Sequence, residues 1–194
     1  LAFRKDVEKI KVGAAISTHE GWEERVNENV NAGVDLIVID TSDAYSEFTD
    51  GVIDKYKKIG IGVPICAGNV ITYDGALHLM KTGADIIKIG MSSGSICTTK
   101  REKAVGRGPL TALIECDRAR NDFLRETNIY VPLIIDGGIT SSADMIIALT
   151  MADAIMMGYY FNRFYEAAGE KYDINNKQTT HENEMCEIAT WGEG

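Results

Sequence analysis

The segment from residue 90 to residue 100 contains the residue types in this chain that are best suited to chemistry. It reads GMSSGSICTTK, and Cys97 lies among polar residues instead of in an apolar run. A thiolate is a strong nucleophile near neutral pH once its pKa is lowered, and Lys100 and Arg101 could lower it. The glycine and hydroxyl residues would let a phosphate approach the backbone closely. The segment indicates either a nucleophilic cysteine beside a phosphate site or an unreactive loop cysteine.

The remaining cysteines and the histidines are weaker candidates for chemistry. Cys66 falls in a predicted strand, Cys116 on a predicted helix and Cys186 in a polar tail, so we interpret them as structural. The four cysteines show no CxxC pair and no metal-finger spacing. No histidine has an evident partner at metal-ligand spacing, and we assign none a catalytic role. The three histidines are His19, His78 and His181.

Two carboxylates follow predicted strands, at the end where parallel α/β folds bind their ligands. Asp136 directly precedes Gly137 and Gly138, and it is well placed for ribose hydroxyls next to a phosphate. The two glycines could enclose that phosphate together with Ser95 and Gly158, or they could simply form a tight turn. Asp40 occupies the matching end of another strand and could serve a second ribose. The other residues that follow strands are Thr41, Ser42, Asn69, Gly90 and Tyr159.

The elements that must position these residues are six short apolar strands separated mostly by helices. The predicted strands are 12–17, 34–40, 63–67, 85–90, 131–136 and 153–158, and the predicted helices are 19–32, 72–82, 109–126 and 143–151. Near-continuous apolar strands that alternate with helices indicate a parallel sheet covered by helices. Repeated units of this length favour a (β/α)8 barrel, but six strands also fit a doubly wound sheet.

A local repeat supports this βα organisation. The segments AGVDLIVID, TGADIIKIG and TMADAIMMG end at residues 40, 90 and 158, and each places an aspartate where a strand begins. The amino ends of strands form the structural face of such folds. We therefore interpret Asp35, Asp85 and Asp153 as turn or capping residues.

Length and charge limit the possible classes of protein. The chain has 194 residues and a net charge of −9, which argues against nucleic-acid binding because phosphate contacts need clustered lysine and arginine. No apolar run approaches the roughly 18–20 residues of a membrane helix, and we expect no membrane partner. The N-terminus shows no secretory signal, so we expect a cytoplasmic protein with reduced thiols. The short basic cluster Lys100, Arg101, Lys103 and Arg107 could bind a small phosphate or form a solvated face.

Six motifs together resemble the inosine-5′-monophosphate (IMP) dehydrogenase family. They are GMSSGSICTT (90–99), AVGRGPLTA (104–112), IIDGGI (134–139), IVIDTSD (37–43), AGNV (67–70) and MMGYYF (156–161). They cover most of the chain in the family's order, and the GSICTT loop is specific to that enzyme and its sister, guanosine monophosphate (GMP) reductase. The N-terminal LAFRKD resembles the end of the family's CBS insert, and TWGEG resembles the start of its catalytic flap.

The resemblance implies an α/β fold, a (β/α)8 TIM barrel that usually assembles as a homotetramer. Residues 1–165 would form barrel strands three to eight, and residues 166–194 a polar excursion that leads into the flap. The first two strands and the CBS domain would lie before Leu1. The family's catalytic arginine lies on the flap beyond Gly194, so we expect this segment alone to hydrolyse the intermediate poorly.

The resemblance also implies an NAD-dependent oxidation of IMP to xanthosine monophosphate (XMP). Cys97 would attack C2 of the purine, hydride would pass to NAD, and Thr99 would help to activate the water that hydrolyses the thioimidate. The implied substrate-binding residues are Ser95, Asp136, Gly137, Gly138, Gly158, Tyr159, Glu193 and Gly194. The implied cofactor-binding residues are Asp40, Thr41, Ser42, Asn69 and Gly90. A potassium ion would bind backbone carbonyls of Ser92, Gly94 and Cys97.

Two alternatives remain beside the dehydrogenase. GMP reductase uses the same cysteine loop to deaminate GMP with NADPH, although Arg107 stands where the reductase typically has an aromatic residue. A truncated, non-catalytic nucleotide-binding protein is the second alternative.

The sequence also departs from the family's motifs at two places. Ser92 stands where the family's loop often has glycine. Tyr159 and Tyr160 stand where the family usually has a small or basic residue beside the phosphate.

Overall fold

The computed structural model describes residues 10–91, 93–94, 104–162, 164–167, 169–179 and the backbone of 187–188. We number its elements in chain order. They are β1 (Gly13–Ile16), α1 (Trp22–Asn31), β2 (Leu36–Asp40), α2 (Glu47–Ile59), β3 (Ile65–Val70), α3 (Tyr73–Thr82), β4 (Ile86–Ile89), α4 (Pro109–Thr127), β5 (Leu133–Asp136), α5 (Ser142–Ala148), β6 (Ala154–Met156), α6 (Tyr159–Asn162), β7 (Lys171–Tyr172) and β8 (Glu187–Ile188).

The six main strands form one parallel sheet in which each strand pairs with its neighbours in sequence, from β1 to β6. A doubly wound sheet reverses its strand order at a switch point, whereas a (β/α)8 barrel adds its strands consecutively. The described strands therefore form an arc of a TIM barrel, as predicted. The β7 and β8 strands form a separate antiparallel pair, so this part of the tail is not a further βα unit.

Local sequence signals explain where the helices begin and end. The Ser46 side chain accepts a hydrogen bond at the start of α2, and Gly60 ends that helix in the left-handed conformation. Helix α2, which lies outside the four predicted helices, buries Val52 and Tyr56 with helical spacing. Helix α5 starts at a capping box but ends at Ala148, three residues earlier than predicted.

The hydrophobic core lies between the sheet and the helices. Successive strand residues point to opposite faces of a sheet. On the helix-facing side the strands contribute fully buried aliphatic residues, and the described helices add Leu79 and Leu113. The opposite side carries the polar residues at the carboxyl ends of β2–β5. The largest buried strand residues are Ile37, Ile39, Ile65, Ile87, Ile89, Leu133 and Ile135.

The three repeated aspartates each tie the start of one strand to the start of the strand before it, which confirms their structural interpretation. Each carboxylate accepts a hydrogen bond from a backbone N–H at the start of that earlier strand, and the aspartate N–H donates to the carbonyl of the same residue. The pairs are Asp35 with Val12, Asp85 with Ile65 and Asp153 with Leu133, at carboxylate distances of 3.0, 2.8 and 2.8 Å. We call each of these reciprocal pairs an amino-end clasp.

Within the described ranges, every helix is too short or too polar to cross a lipid bilayer.

Candidate active site

The carboxyl ends of β3, β4 and β5 bring three of the predicted site residues into direct contact. The Asn69 side-chain amide donates to the Gly90 carbonyl at 2.6 Å and to Asp136 Oδ2 at 3.1 Å. Asn69 and Gly90 were predicted for the cofactor and Asp136 for the substrate. Residues predicted for the two different ligands are therefore in direct contact.

A lysine that the sequence analysis did not single out stands at the centre of this group. Lys88 Nζ donates to Asp40 Oδ1 and to Asp136 Oδ2, at 2.9 Å in each case. The lysine side chain is only 4% exposed. Burial by itself lowers its pKa, but the charges and hydrogen bonds of Asp136 and Asp40 more than offset that effect, so the pKa is raised. Lys88 is therefore a buried cation at neutral pH.

A glycine makes this bridge across the sheet possible. Gly68 on β3 is the register partner of Lys88 on β4 and of Asp40 on β2. A Cβ atom at Gly68 would lie 2.5 Å from Lys88 Cβ and 2.7 Å from the Lys88 carbonyl oxygen. The missing side chain thus leaves room for Lys88 to reach across β3 to Asp40. The sequence signal was present, because Lys88 is the one charged residue of the apolar strand β4.

The loop that follows β4 packs directly on the turn that follows β5. Gly90 has φ 131°, and a Cβ there would lie 2.3 Å from the Asp136 carbonyl oxygen. Ser93 Oγ donates to that same oxygen at 2.8 Å, and a Cβ at Gly137 would lie 2.9 Å from the Gly94 nitrogen. Gly137 therefore serves a close approach of two loops in addition to a turn. This packing places the described start of the loop, up to Gly94, beside Asp136 and Gly137.

Asp40, Thr41 and Ser42 line a polar cleft of about 390 Å³ at the carboxyl ends of β1 and β2. The Thr41 backbone pairs with β3, since Thr41 N donates to the Gly68 carbonyl and Asn69 N to the Thr41 carbonyl, each at 3.1 Å. The cleft's other walls come from the loop after β1, the loop after β2 and the start of α2, and none of these residues was assigned to a site from the sequence. They are Ser17, Thr18, His19, Asp43, Ser46 and Phe48.

One member of the predicted basic cluster is already engaged by a carboxylate. The Arg107 guanidinium forms two hydrogen bonds of 2.7 Å with the two oxygens of Glu115 on α4. This bidentate pair ties the end of the loop before α4 to the helix itself. Arg107 is thus a structural anchor in the described chain, while Lys100, Arg101 and Lys103 lie outside the described residues.

The predicted phosphate residues after β6 lie next to the β5 turn. Gly137 N donates to the Met156 carbonyl at 3.2 Å, which brings the end of β6 against that turn. The Gly158 carbonyl accepts from the N–H groups of Phe161 and Asn162, so α6 begins there. Tyr159 is 52% exposed. A phosphate role for Gly138, Gly158 and Tyr159 remains a prediction.

Several predicted site residues lie outside the described part of the chain. This holds for both predicted catalytic residues, for two of the three predicted potassium ligands, for one predicted phosphate residue and for the predicted flap contacts. They are Cys97, Thr99, Ser92, Ser95, Glu193 and Gly194. Gly94, the third predicted potassium ligand, is described, and its nitrogen lies beside Gly137.

Two of the other cysteines are buried, as the sequence analysis expected. Burial raises the pKa of Cys66 to about 12, and it raises the pKa of Cys116 to about 12 as well. Both thiols are protonated at neutral pH and are unsuited to nucleophilic attack. Cys186 and His181 lie outside the described residues.

The described histidines hold other positions. His78 Nε2 on α3 lies 2.9 Å from both oxygens of Asp50 on α2, so it ties the two helices together. His19 lines the polar cleft. In the described part of the chain, no three side chains of histidine, cysteine, aspartate or glutamate gather as a metal site.

Three side-chain oxygens of this site are available as hydrogen-bond acceptors. Asn69 Oδ1 is a buried acceptor without a partner in the described residues, so a ligand amide could satisfy it. Asp40 Oδ2 and Asp136 Oδ1 have no hydrogen bond to described residues. Each of these two carboxylate oxygens could accept hydrogen bonds from ribose hydroxyl groups.

Comparisons with known proteins point to one family. The family model of the IMP dehydrogenase / GMP reductase domain matches residues 1–191. The chain is 40% identical to inosine-5′-monophosphate dehydrogenase of Tritrichomonas foetus over 210 residues, covering 100% of the chain and 40% of that protein. It is 38% identical to the enzyme of the same name from Aquifex aeolicus (strain VF5) over 170 residues, covering 87% of the chain and 34% of that protein.

A solved structure is similar in fold. The crystal structure of a variant GMP reductase from Trypanosoma brucei, in complex with guanosine 5′-monophosphate, superimposes with a TM-score of 0.79 at 30% identity. The match covers 88% of this chain and 35% of that one. The chain spans 40% or less of the length of each of these three proteins.

Proposed function

The chain belongs to the IMP dehydrogenase / GMP reductase family, and from that premise we propose that the protein oxidises IMP to XMP with NAD. The observation that carries this proposal is the pair of carboxylates, Asp40 and Asp136, held by the single cation Lys88. The reaction brings together a nucleotide and a dinucleotide, so it needs two ribose subsites side by side. Each carboxylate leaves one oxygen for ribose hydroxyls.

Asp136 binds the IMP ribose in this proposal. The neighbouring Gly137 and Gly138, with Gly158 and Tyr159 at the end of β6, surround the phosphate together with Ser95. In the turn at Gly137 and Gly138, both of which have positive φ, the Gly137 N–H donates to the Met156 carbonyl, so the Gly138 N–H is the turn's donor for an anion. Glu193 and Gly194 contact the edge of the hypoxanthine ring.

The polar cleft after β1 and β2 receives the cofactor. Asp40, Thr41 and Ser42 would hold its nicotinamide side, with Gly90 nearby at the end of β4. The buried acceptor Asn69 Oδ1 takes a hydrogen bond from the carboxamide. NAD, when bound, accepts the hydride that leaves C2 of the purine.

Cys97 acts as the nucleophile because its loop starts beside Asp136. Its thiolate forms a bond with C2 of IMP, and the C2 hydride then leaves, which creates a thioimidate on the enzyme. Thr99 orients a water molecule that adds to the same carbon and releases XMP and the free thiol. The buried thiols of Cys66 and Cys116 take no part.

A potassium ion fits this scheme as a structural ion. Backbone carbonyl oxygens of Ser92, Gly94 and Cys97 would hold it, and carbonyl oxygens are suitable ligands for a hard cation. Its contribution would be to keep the loop of the nucleophile in shape. No chemical step is assigned to it.

We further propose that residues 1–165 form the partial catalytic barrel and that residues 166–194 form the excursion that starts the flap, the CBS domain lying outside this chain. The β7–β8 pair, which stands apart from the barrel sheet, supports that division. By resemblance, the protein acts as a cytoplasmic homotetramer.

GMP reductase is the second candidate, because the fold matches a reductase structure that contains guanosine 5′-monophosphate. The names and identities of the curated relatives favour the dehydrogenase, since eight of them, at 36–40% identity, are all inosine-5′-monophosphate dehydrogenases. Arg107 favours it too, on the motif difference given above. A non-catalytic nucleotide-binding protein would bind IMP and form no NADH.

Absorbance at 340 nm separates the three possibilities. We expect NADH to accumulate from IMP, NAD and potassium, and Cys97→Ala to abolish it while IMP binding persists. Consumption of NADPH with GMP, without NADH formation from IMP, would identify the reductase. Nucleotide binding with neither signal would leave the binding protein, and it would overturn the proposed activity.

A further inference from the structure

Lys88 contacts both carboxylates of the proposed site, and it therefore fixes the distance between the carboxylate on the nucleotide side and the one on the dinucleotide side. Its ammonium lies 2.9 Å from Asp40 Oδ1 and 2.9 Å from Asp136 Oδ2. The two aspartates come from β2 and β5, which are not neighbours in the sheet. Without the lysine, no described side chain joins these carboxylates.

The lysine is costly to the fold, which argues against a purely structural role. An ammonium group that is 4% exposed loses most of its hydration, and an apolar residue of similar volume is often as stable or more stable at such a position. The other residues of β4 are isoleucines. Asn69 also donates to Asp136 Oδ2 at 3.1 Å, so Asp136 alone would keep a partner without Lys88.

We propose that Lys88 is a positioning residue that sets the distance between the cofactor-side carboxylate Asp40 and the substrate-side carboxylate Asp136, and so aligns the nicotinamide with C2 of the purine. This inference rests on the proposed function. Lys88 touches neither reacting atom and acts through the two carboxylates. A displacement of about 1 Å between reacting groups can cost roughly 100-fold in rate, so the effect should appear in hydride transfer.

The test replaces Lys88 in the full-length protein and measures the redox step separately from hydrolysis. We expect Lys88→Met to lower the rate of the NADH burst by about 10- to 100-fold and to raise KM for both IMP and NAD. With IMP deuterated at C2, we expect a primary isotope effect on turnover in Lys88→Met that exceeds that of the wild type. Lys88→Arg should recover part of the burst rate, because a guanidinium can bind two carboxylates.

Lys57→Met is the matched control, since Lys57 forms an ion pair of 2.6 Å with Asp85 at the amino end of the same strand. It should leave the burst rate and both KM values unchanged. Thermal unfolding of each variant checks the fold, and Lys88→Gln replaces Lys88→Met if the latter does not fold.

A folded Lys88→Met or Lys88→Gln enzyme with a wild-type burst rate, isotope effect and KM values would overturn the inference. So would a loss that Lys88→Arg does not relieve at all, because that would indicate a structural defect. A wild-type enzyme that produces no NADH would overturn the proposed function instead, and this is measured first.

Discussion

At the scale of single residues, the proposed site depends on two glycines, which have no side chain, as well as on its polar side chains. Gly68 leaves space for Lys88 to reach Asp40, and Gly90 lets the next loop lie against the Asp136 carbonyl. Any Cβ at these two positions would overlap a backbone atom, which cannot move as a flexible side chain can. Glycine is therefore required at positions 68 and 90 for the proposed subsites to have this geometry.

Replacement of Gly90 tests this point. We expect Gly90→Ala to destabilise the fold by about 2–4 kcal/mol, because the positive φ is strained for alanine and the new Cβ would lie 2.3 Å from the Asp136 oxygen. We also expect IMP affinity to fall, since the Asp136 turn must move. Urea unfolding and calorimetric titration with IMP measure the two effects.

Gly62→Ala is the control, because Gly62 has φ 78° and a Cβ there would meet nothing within 4 Å. It should cost only about 1–2 kcal/mol for the backbone conformation and leave IMP binding intact. Equal losses of stability and affinity in both variants would contradict the importance of the close contact.

At the scale of elements, the amino-end clasps occur at every second strand junction. They join β1 to β2, β3 to β4, and β5 to β6, each within one βαβ unit. At the junctions between these units, the carbonyls of Pro64 and Pro132 accept from Ile37 and Ile87 instead. Pro64 and Pro132 stand where a clasp has its aspartate, and proline has neither a carboxylate nor an N–H to donate to a carbonyl, so no reciprocal clasp forms there. The described barrel arc is thus built from three clasped pairs of strands.

The Asp153 clasp should be the strongest of the three. Its carboxylate binds Leu133 N, the Tyr130 hydroxyl and Arg120, whose side chain is 9% exposed. We expect Asp153→Ala to destabilise the fold by about 2–4 kcal/mol, because it leaves a buried guanidinium with fewer partners. Denaturant unfolding measures the loss, and KM for IMP should not change.

Asp35→Ala provides the comparison, since its ion-pair partner Lys11 is 81% exposed. Exposed ion pairs contribute little, so we expect a loss of about 1 kcal/mol. If the two variants lose the same stability, the burial of Arg120 does not determine the strength of the clasp.

At the scale of the whole molecule, the clasps and the proposed site occupy opposite ends of the sheet. The clasps lie at the amino ends of the strands, while Asp40, Asn69 and Asp136 lie at the carboxyl ends. TIM barrels show this division generally. The β7–β8 pair belongs to neither end of the barrel sheet, as it forms a sheet of its own.

Removal of that pair tests the proposed division at residue 165. We expect a short Gly-Ser linker in place of residues 171–188 to leave a burst of NADH close to one per enzyme, because the redox step uses barrel residues. Steady-state turnover should fall by at least about 10-fold, since closing segments commonly complete the site for a later step. Stopped-flow absorbance at 340 nm separates the burst from the steady state.

The matched control replaces only the turn residues Asn175 and Asn176 by glycine, which keeps both strands. It should retain both the burst and most of the turnover. Full turnover without the pair would contradict a flap role, and loss of the burst would mean that the pair belongs to the barrel.

The sequence alone determined the features that depend on local pattern. Apolar runs predicted all six barrel strands, and the aspartates that precede three of them were correctly interpreted as structural. Asp40, Asn69 and Asp136 were predicted as site residues because strand ends meet at one edge of a parallel sheet, and the structure joins them through hydrogen bonds of Asn69 and Lys88. Helix α2 escaped notice even though Val52, Ile53 and Tyr56 have helical spacing.

Only the tertiary structure decided which residues meet across the sheet. Lys88 lies 48 residues from each of its two carboxylate partners, and no local pattern reveals that one ammonium contacts both. The consecutive strand order, the packing of Gly90 and Gly137 against backbone, and the pairing of Arg107 with Glu115 arise in the same way. The periodicity of apolar residues indicates which face of a helix or strand is buried. The packing of the whole sheet determines which residues distant in sequence come into contact.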